Sequence, residues 1–457
     1  MPATADSKAI IKQALLDLKG RAGLYTKYER YYRGAHDLLF ATEKFRNAFG
    51  FLFRAFSDNM MPAVVDAVAD KLQVTGYRIE AGESKLSDEA WALWQRNRMD
   101  ARAGEVHQEA LRAGDAYVIV WPDADGNVMI YPNRAALCTV CYDDEIPGKI
   151  IWGAKLWFTL KKRVRLNLYF PDRIEKYVTS QVMPNGLPET EDAFMVNQIE
   201  GEEWPLPNEY GVVPMFHFAN NAAIGRTGNS ELRDAVRLQD ALNKAVLDMM
   251  VAMEFAAFRQ RWATGLEIEI DANGKPIPPF EPGVERLWTS DDPDTKFGEF
   301  EATDLKQFIE VQDSFRFEIA RVTGTPLHYL MLNGGHLPSG DAMKMLETRH
   351  ITKVKDRQTS FGNVWEDVMT LALRMSNKGD DLQIFTEWAD PAPVSVKELL
   401  ETLILKGQIG VDDEQLLTEA GYGMADIKKM LARKQQRQQQ QQQQALQEFN
   451  SGGDSAF

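Results

Sequence analysis

Few residues in this chain are spaced for chemistry. Cys138-Thr-Val-Cys141 has the spacing of a redox pair or of half a zinc site. It has no second pair, and it lies in a strand-like run where positions three apart face opposite ways, so a structural reading is favoured. Gly335-His-Leu-Pro-Ser-Gly340 has the glycine spacing of a phosphate-cradling loop, but Asp341 and Ala342 stand where that loop needs a lysine and a hydroxyl. An acid there repels phosphate. The segment reads instead as a pliable loop that caps the following helix, with Ser339 or Asp341 near its N-terminus. The six histidines, at 36, 107, 217, 328, 336 and 350, show no HxxxH or HExxH spacing. His328 and His336 share one loop, yet two ligands make no metal site, and solvated loop residues are the expectation. Neither GxSxG nor GxGxxG occurs. The pairs Asp143-Asp144 and Asp291-Asp292 fall in turn-like contexts and read as solvated surface. No catalytic set, metal site or cofactor site emerges, so a non-enzymatic protein is expected.

Composition narrows the class further. At 457 residues the chain is about three times a typical domain of roughly 150, so two or three packing units are expected. Its 44% hydrophobic and 26% charged residues suit a folded chain with a real core. Lys and Arg number 52 against 67 Asp and Glu, a net charge of −15. That balance excludes tight, static binding to phosphates and makes an anionic membrane surface a poor partner. No apolar run reaches the ~18 residues of a membrane span. MPATADSKAIIKQALLDLKG lacks the order of a secretory signal, and two cysteines cannot build a disulfide framework. A cytosolic or intracellularly assembled protein is expected.

The elements that must position any site follow from periodicity. Residues 8–33 read as a helix, about 60–73 as a second, and Leu86 to Ala113 as two more carrying Trp91 and Trp94. From Ala116 to Phe218 short β-branched and aromatic runs predict one antiparallel, mostly sequential sheet, with Asp125-Gly126 as a hairpin turn. Helix returns after Ser230, a predicted N-cap with Glu231 at the favourable end of the helix dipole. The run 231–258 has neither proline nor glycine, which predicts a rod of roughly 42 Å. The cluster Met249 to Met253 and the aromatics of 255–262 read as a helix–helix interface. A compact insertion, 259–303, holds five prolines. A further helix is expected from Asp304, with Asp304 and Gln307 as a capping-box-like pair and Leu305, Phe308, Ile309, Gln312, Phe315, Ile319 and Val322 on its buried side. Gly324 and Pro326 end it. The loop 325–340 leads to the longest helix, 341–377. Two short helices follow, at 395–406 and 412–420. The basic helix with Lys428, Lys429, Arg433, Lys434 and Arg437 fits contact with nucleic acid or an ordinary solvated face. Ten of the eleven residues 434–444 are lysine or glutamine, a low-complexity tract.

The plan is helix, small insertion, helix, Gly-rich loop, long helix. A protruding helical hairpin of this kind buries little alone and gains stability if copies stand side by side in a ring.

Several blocks, in this order, resemble the portal proteins of tailed bacteriophages, particularly long-tailed phages of actinobacteria. They are YYRGAHDLLFA (31–41), PAVVDAVADKLQVTGYRI (62–79), WALWQRNRMDARAGEVHQEALRAGDAYVIVWPDADG (91–126), GNSELRDAVRLQDALNKAVLDMMVAMEFAAFRQRWATG (228–265), FEIARVTGTPLHYL (317–330) and FTEWADPAPVS (385–395). The resemblance implies an α+β portal fold that assembles as a ring of 12 copies. Residues 1–244 would be the N-terminal α/β part of a wing. Residues 245–258 and 304–323 would be stem helices, and 259–303 a clip. The tunnel loop would be 324–340, the long wing helix 341–380, and the crown with the Gln-rich tail 381–457. By the same resemblance His328, Asn333, Gly334, Gly335, His336, Leu337, Pro338, Ser339 and Gly340 would face DNA. Lys275, Phe280, Arg286 and Trp288 would meet the terminase or adaptor. Many relatives have a GVPP-like segment after the second stem helix, where this chain has Gly324-Thr-Pro-Leu.

The implied function is a ring at one capsid vertex through which double-stranded viral DNA is packaged, retained and ejected. The implied partners are the terminase large subunit, a head–tail adaptor, and the major capsid and scaffolding proteins, with no membrane. The implied location is the virion, with host cytoplasm during assembly. Two rivals remain open on the sequence: a head–tail adaptor or other capsid structural protein, and a metal-dependent nucleic-acid-processing enzyme.

Overall fold

The computed structural model describes residues 4–37, 43, 47, 57–79, 84–184, 186–257, 261–265, 293–299, 304–330, 340–379, 382–392, 396–422, 426, 427, 429–437, 439 and 440. The chain forms two compact units, Met1–Pro391 and Ala392–Phe457.

Helix α1 (Ala5–Tyr32) starts where Thr4 Oγ1 accepts from the Ser7 N–H at 3.3 Å. Helix α2 (Met61–Ala69) carries proline in its first turn, where a missing N–H costs nothing. It ends earlier than the sequence suggests and hands over to strand β1 (Val74–Ile79). Helices α3 (Ser84–Arg96), which carries both Trp91 and Trp94, and α4 (Met99–Ala113) follow, the two helices expected there.

The β region is entirely antiparallel but forms two sheets rather than the one expected. Strands β2 (Asp115–Pro122) and β3 (Val128–Arg134) belong to the first sheet. Strands β4 (Cys138–Tyr142), β5 (Ile150–Phe158), β6 (Val164–Tyr169), β7 (Arg173–Thr179) and β8 (Phe194–Val196) make the second in sequence order, with β9 (Leu206–Pro207) also paired to β7. Strand β10 (Met215–Ala219) returns to pair with β2, so the first sheet reads β10-β2-β3. Its alternation divides two cores. Ala116, Val118 and Val120 face the helical core, and Tyr117 and Ile119 face the second sheet. Helix α1 covers the other side of the second sheet through Ile11, Ala14, Leu15 and Leu18.

Helix α5 (Val236–Ala257) is shorter than the predicted rod, 22 residues or about 33 Å. Ser230 does not cap it. The Ser230 hydroxyl donates to the Arg112 carbonyl at 2.5 Å and accepts from the Leu232 N–H at 3.0 Å, which holds 231–235 as turns. Strands β11 (Arg261–Thr264) and β12 (Lys296–Glu299) then pair antiparallel. Helix α6 (Lys306–Thr323) returns beside α5, with the Gln312 amide on Met249 Sδ at 3.3 Å.

The expected capping box does not form, since Asp304 Oδ1 accepts from the Lys306 N–H rather than from Gln307. The buried stripe of α6 is also narrower than predicted. Gln312, Ile319, Ala320 and Thr323 are inside, but Ile309 is 51% and Val322 38% exposed. Along most of its length α6 has one helical neighbour, so its apolar band is wider than its contact.

After the single turn α7 (Leu327–Leu330), α8 (Gly340–Met375) is the longest helix among the described residues. Its Phe361, Trp365, Val368 and Met369 lie at the centre of the main core, with the Trp365 ring edge-on to Trp94 at 4.9 Å. Strand β13 (Ile384–Trp388) pairs with β1 inside the first unit. In the second unit α9 (Val396–Gln408) and α10 (Asp413–Glu419) are tied by Lys406 Nζ and Glu419 Oε2 at 2.6 Å.

Candidate functional site

The residues that root the α5–α6 pair and flank the 331–339 segment make the most developed polar arrangement among the described residues. The root of α5 is a buried face of Gln239, Asp240 and Asn243. Tyr31 Oη donates to Asp240 Oδ1 at 2.7 Å, the Met60 N–H to Gln239 Oε1 at 2.9 Å, and the Asp58 N–H to Asn243 Oδ1 at 3.1 Å. The Asn243 amide donates to His36 Nδ1 at 2.7 Å, and His36 Nε2 donates to the Tyr31 carbonyl at 3.0 Å. Burial pushes the Asp240 carboxyl up to about 6 and the His36 imidazole below its ordinary value. These bonds fix the end of α1 and residues 57–60 against the first turns of α5. Arg316 adds α6 to the joint, with Nη2 at 2.6 Å from Asp58 Oδ2.

The far end of α6 is held to α8. Gly324 takes φ +69°, the left-handed conformation that closes a helix without a Cβ penalty. Lys353 Nζ then reaches the Thr323 carbonyl at 2.8 Å and Glu231 Oε2 at 2.5 Å, while Arg357 Nη2 meets Glu231 Oε1 at 3.0 Å. Burial alone would raise the Glu231 carboxyl, but the Lys353 and Arg357 charges outweigh it and hold it below its ordinary value. Glu231 is therefore not a helix-dipole acid, as its place after Ser230 suggests, but the hub between the turns before α5 and the middle of α8. A polar cavity of about 460 Å³ opens beside this cluster.

Nearly two turns before Lys353 on α8, and nearer the 331–339 segment, Glu347 is the second hub. His328 Nε2 lies 3.2 Å from Glu347 Oε1, Tyr329 Oη donates to the same oxygen at 3.3 Å, and Lys71 Nζ stands 3.7 Å from Oε2. The Glu347 side chain is 7% exposed, so this charge is buried among its partners. His350 Nε2 donates to the Ala67 carbonyl at 3.0 Å. The chain entering the segment at α7 and the chain leaving it in α8 are thus joined to each other and to α2.

Of the DNA-facing residues the resemblance names, His328 lies at this joint, half-buried rather than solvated. Gly340 is the first residue of α8. Asn333, Gly334, Gly335, His336, Leu337, Pro338 and Ser339 lie outside the described residues, as do Lys275, Phe280, Arg286 and Trp288, Asp291 and Asp292.

Elsewhere, Asp115, His217 and Tyr142 have the bonding order of a proton relay. His217 Nε2 donates to Asp115 Oδ1 at 2.7 Å, and Tyr142 Oη donates to His217 Nδ1 at 2.7 Å. Tyr25 Oη and the Gly228 N–H also donate to Asp115. Asp115 is 1% and His217 6% exposed, so the pair at its centre is sealed, with Tyr142 half-buried, and the set ties α1, both sheets and the 220–230 segment together. The two cysteines are free and face opposite cores, Cys138 between the sheets and Cys141 towards α1. Burial pushes the Cys138 thiol up to about 12, far from a reactive thiolate. Asp143 Oδ1 accepts from the Glu145 and Ile146 N–H groups, the turn expected there. Among the described residues no group of three His, Cys, Asp or Glu could hold a metal ion, and no helix is long and apolar enough to cross a membrane.

A family model described as phage portal protein, SPP1 Gp6-like, matches residues 17–444. The chain belongs to this portal protein family. The match runs from α1 into the glutamine tract, so it takes in both hubs and both compact units. The portal protein of Mycobacterium phage D29 is 27% identical over 387 residues, 80% of this chain and 76% of that protein. The portal protein of Mycobacterium phage L5 is 26% identical over 390 residues, with the same coverage. A chain in the solved virion of a native gene transfer agent particle aligns with a TM-score of 0.45 at 12% identity, over 84% of this chain and 95% of that one. The hubs Glu231 and Glu347 and the buried α5 face carry no sequence motif. They lie, with Gln239, Asp240 and Asn243, inside the stretch 17–444 that the family model matches.

Proposed function

We propose that this protein assembles as a ring at one capsid vertex and forms the channel through which double-stranded viral DNA is packaged, retained and released. The portal family match over 17–444 carries the reading. In this ring 245–258 and 304–323 are stem helices, 259–303 the clip that meets the terminase and the adaptor, and 324–340 the tunnel loop. Residues 1–244 with 341–380 form the wing, near capsid and scaffolding proteins, and 381–457 the crown.

The described residues support this division of labour. Helix α6 leaves Ile309, Val311, Phe317 and Val322 at 38–51% exposure, and α5 leaves Met253 at 49%. Such a band is poorly explained in an isolated hairpin and well explained by neighbouring copies. The Glu231 and Glu347 hubs hold a stiff base on both flanks of the tunnel loop and so fix the points from which it meets DNA. Fifteen net negative charges per copy keep a polyanion from sticking in transit. Energy for transport comes from a separate motor in this reading.

Negative-stain imaging of the purified protein down its axis tests the proposal. Annular particles with a central opening wide enough for a duplex are expected, and particles without an annular view under assembly conditions would overturn it.

A further inference from the structure

The second sheet is covered by α1 on one side, while the other side is only partly covered by the first sheet. The cross-strand row Gly153–Tyr169–Ile174 is closed off, with Met215 packed over Gly153. The next row, Lys155–Asn167–Lys176, is half-buried, as are Trp157, Arg165 and Val178 in the row after it, which ends at Met195, 38% exposed. Where cover stops, a slot of about 260 Å³ enters between the sheets, walled by Trp121, Tyr131, Trp157 and Tyr169.

Cations gather around this mouth. The β5–β6 hairpin reads Phe158-Thr-Leu-Lys-Lys-Arg-Val-Arg165, with Leu160 fully exposed and Phe158 47% exposed at its tip. Among the described residues Lys155, Lys161, Lys162, Arg163 and Arg165 have no acidic partner at ion-pair distance. Lys155 Nζ lies over the Trp157 ring at 5.4 Å, and Lys176 at the rim is paired with Glu202. In a chain of net charge −15, five unpaired cations on one hairpin and its adjoining row are a local reversal of sign.

We infer that this face is a docking surface for an acidic polypeptide segment that inserts one aromatic or aliphatic side chain into the inter-sheet slot. The slot is smaller than the roughly 300–1,000 Å³ of pockets that enclose a small-molecule ligand, and suits a single anchoring side chain. A buried apolar anchor ringed by charge is the usual anatomy of a specific protein contact. The cations at its mouth select an acidic partner and speed its arrival. Nucleic acid fits less well: a duplex cannot enter the slot, and a cationic cluster confined to one hairpin neutralises few phosphates. This docking is separate from DNA passage, so either can fail without the other.

The test titrates the full-length protein with a fluorescein-labelled peptide of glutamates and aspartates around a central phenylalanine, read by fluorescence polarisation. Three controls accompany it: the same peptide with alanine at the centre, a basic peptide, and a labelled oligo(dT). The phenylalanine peptide should bind best, at least about tenfold more weakly to a Lys155→Glu, Arg165→Glu variant. It should also bind at least about fivefold more weakly to Trp157→Ala. Circular dichroism confirms that each variant is folded, and the charge variant, altered at two half-buried polar positions at the mouth of the slot, covers the case in which Trp157→Ala does not fold. Equal binding to the wild type and the charge variant would overturn the proposal. So would no binding at about 1 mM peptide, or tighter binding of oligo(dT) than of the peptide.

Discussion

Glu231 and Lys353, far apart in sequence, meet in a buried ion pair with 2.5 Å between Oε2 and Nζ. Lys353 also reaches the Thr323 carbonyl, so one lysine joins the approach to α5, the end of α6 and the body of α8. Replacing Glu231 by alanine leaves Lys353 and Arg357 facing each other without a counter-charge. A loss of roughly 3–5 kcal/mol is expected from denaturant unfolding. The Glu231 carboxyl is held below its ordinary 4.5, so its contribution is complete above that value and fades as pH falls through the lower folded value. The gap between wild type and variant should therefore narrow in acid. A gap that is constant from neutral pH to about pH 3 would show that the charge of Glu231 is not what stabilises the hub.

His107 is fully buried and neutral. Its Nδ1 donates to the Leu72 carbonyl at 3.1 Å, its Nε2 accepts from Trp365 Nε1 at 2.9 Å, and burial pushes its pKa down to about 3. The unfolded chain takes up a proton below about 6.5 that the folded chain refuses, so stability is lost as pH falls from 6.5 towards 3. The slope from this one group approaches about 1.4 kcal/mol per pH unit. A His107→Gln variant should be less stable at neutral pH yet lose stability less steeply between about pH 6 and pH 4. Urea midpoints across that range measure it, and parallel slopes would contradict it.

Gly228 sits against the backbone of Gly114: a Cβ there would lie 1.9 Å from the Gly114 carbonyl oxygen and 2.6 Å from the Asn220 nitrogen. Neither neighbour is a side chain that can turn away. Gly228→Ala should abolish soluble expression or cost more than about 3 kcal/mol. Gly20, in the middle of α1 with open space around it, gives the opposite expectation, a gain of roughly 0.5–1 kcal/mol for Gly20→Ala. Thermal melts of the two variants check both signs.

Much of this fold could be read from sequence because its signals are local. The β-branched and aromatic run YVIVW, the spacing of Trp91 and Trp94, and the stop at Gly324 and Pro326 each depend on near neighbours. What could not be read depends on distant ones. Ser230 looks like a helix cap, and only the Arg112 carbonyl across the fold diverts its hydroxyl and delays α5 to Val236. The runs of β2 and β4 look alike, so nothing local says that they enter different sheets. Nothing local singles out Gln239, Asp240 and Asn243, whose partners Tyr31, Met60, Asp58 and His36 come from about two hundred residues away. Ile309 and Val322 look buried because apolar periodicity marks a contact face without saying whether its partner belongs to the same chain. The portal family resemblance rests on blocks that span these long-range contacts, which is how the sequence pointed to the family without revealing the hubs.

The anchoring of the chain on either side of the proposed tunnel loop gives a functional prediction. Deleting 333–339 should leave ring assembly intact and impair packaging or retention of DNA. Glu347→Ala, which unties His328 and Tyr329 from α8, should show the same defect more mildly. Nuclease protection of packaged DNA, with assembly followed by imaging, measures both effects. Normal packaging and retention by the deletion would remove the loop assignment.

The central claim is that copies of this chain close into a ring, and native mass spectrometry of the purified protein tests it most directly. One dominant species of about twelve copies of the 51.7 kDa chain is predicted. An Ile309→Glu, Phe317→Glu variant should be folded by circular dichroism but run as monomers or small open assemblies. A wild-type protein that stays monomeric under assembly conditions, or a variant that closes into the same species, would contradict the account.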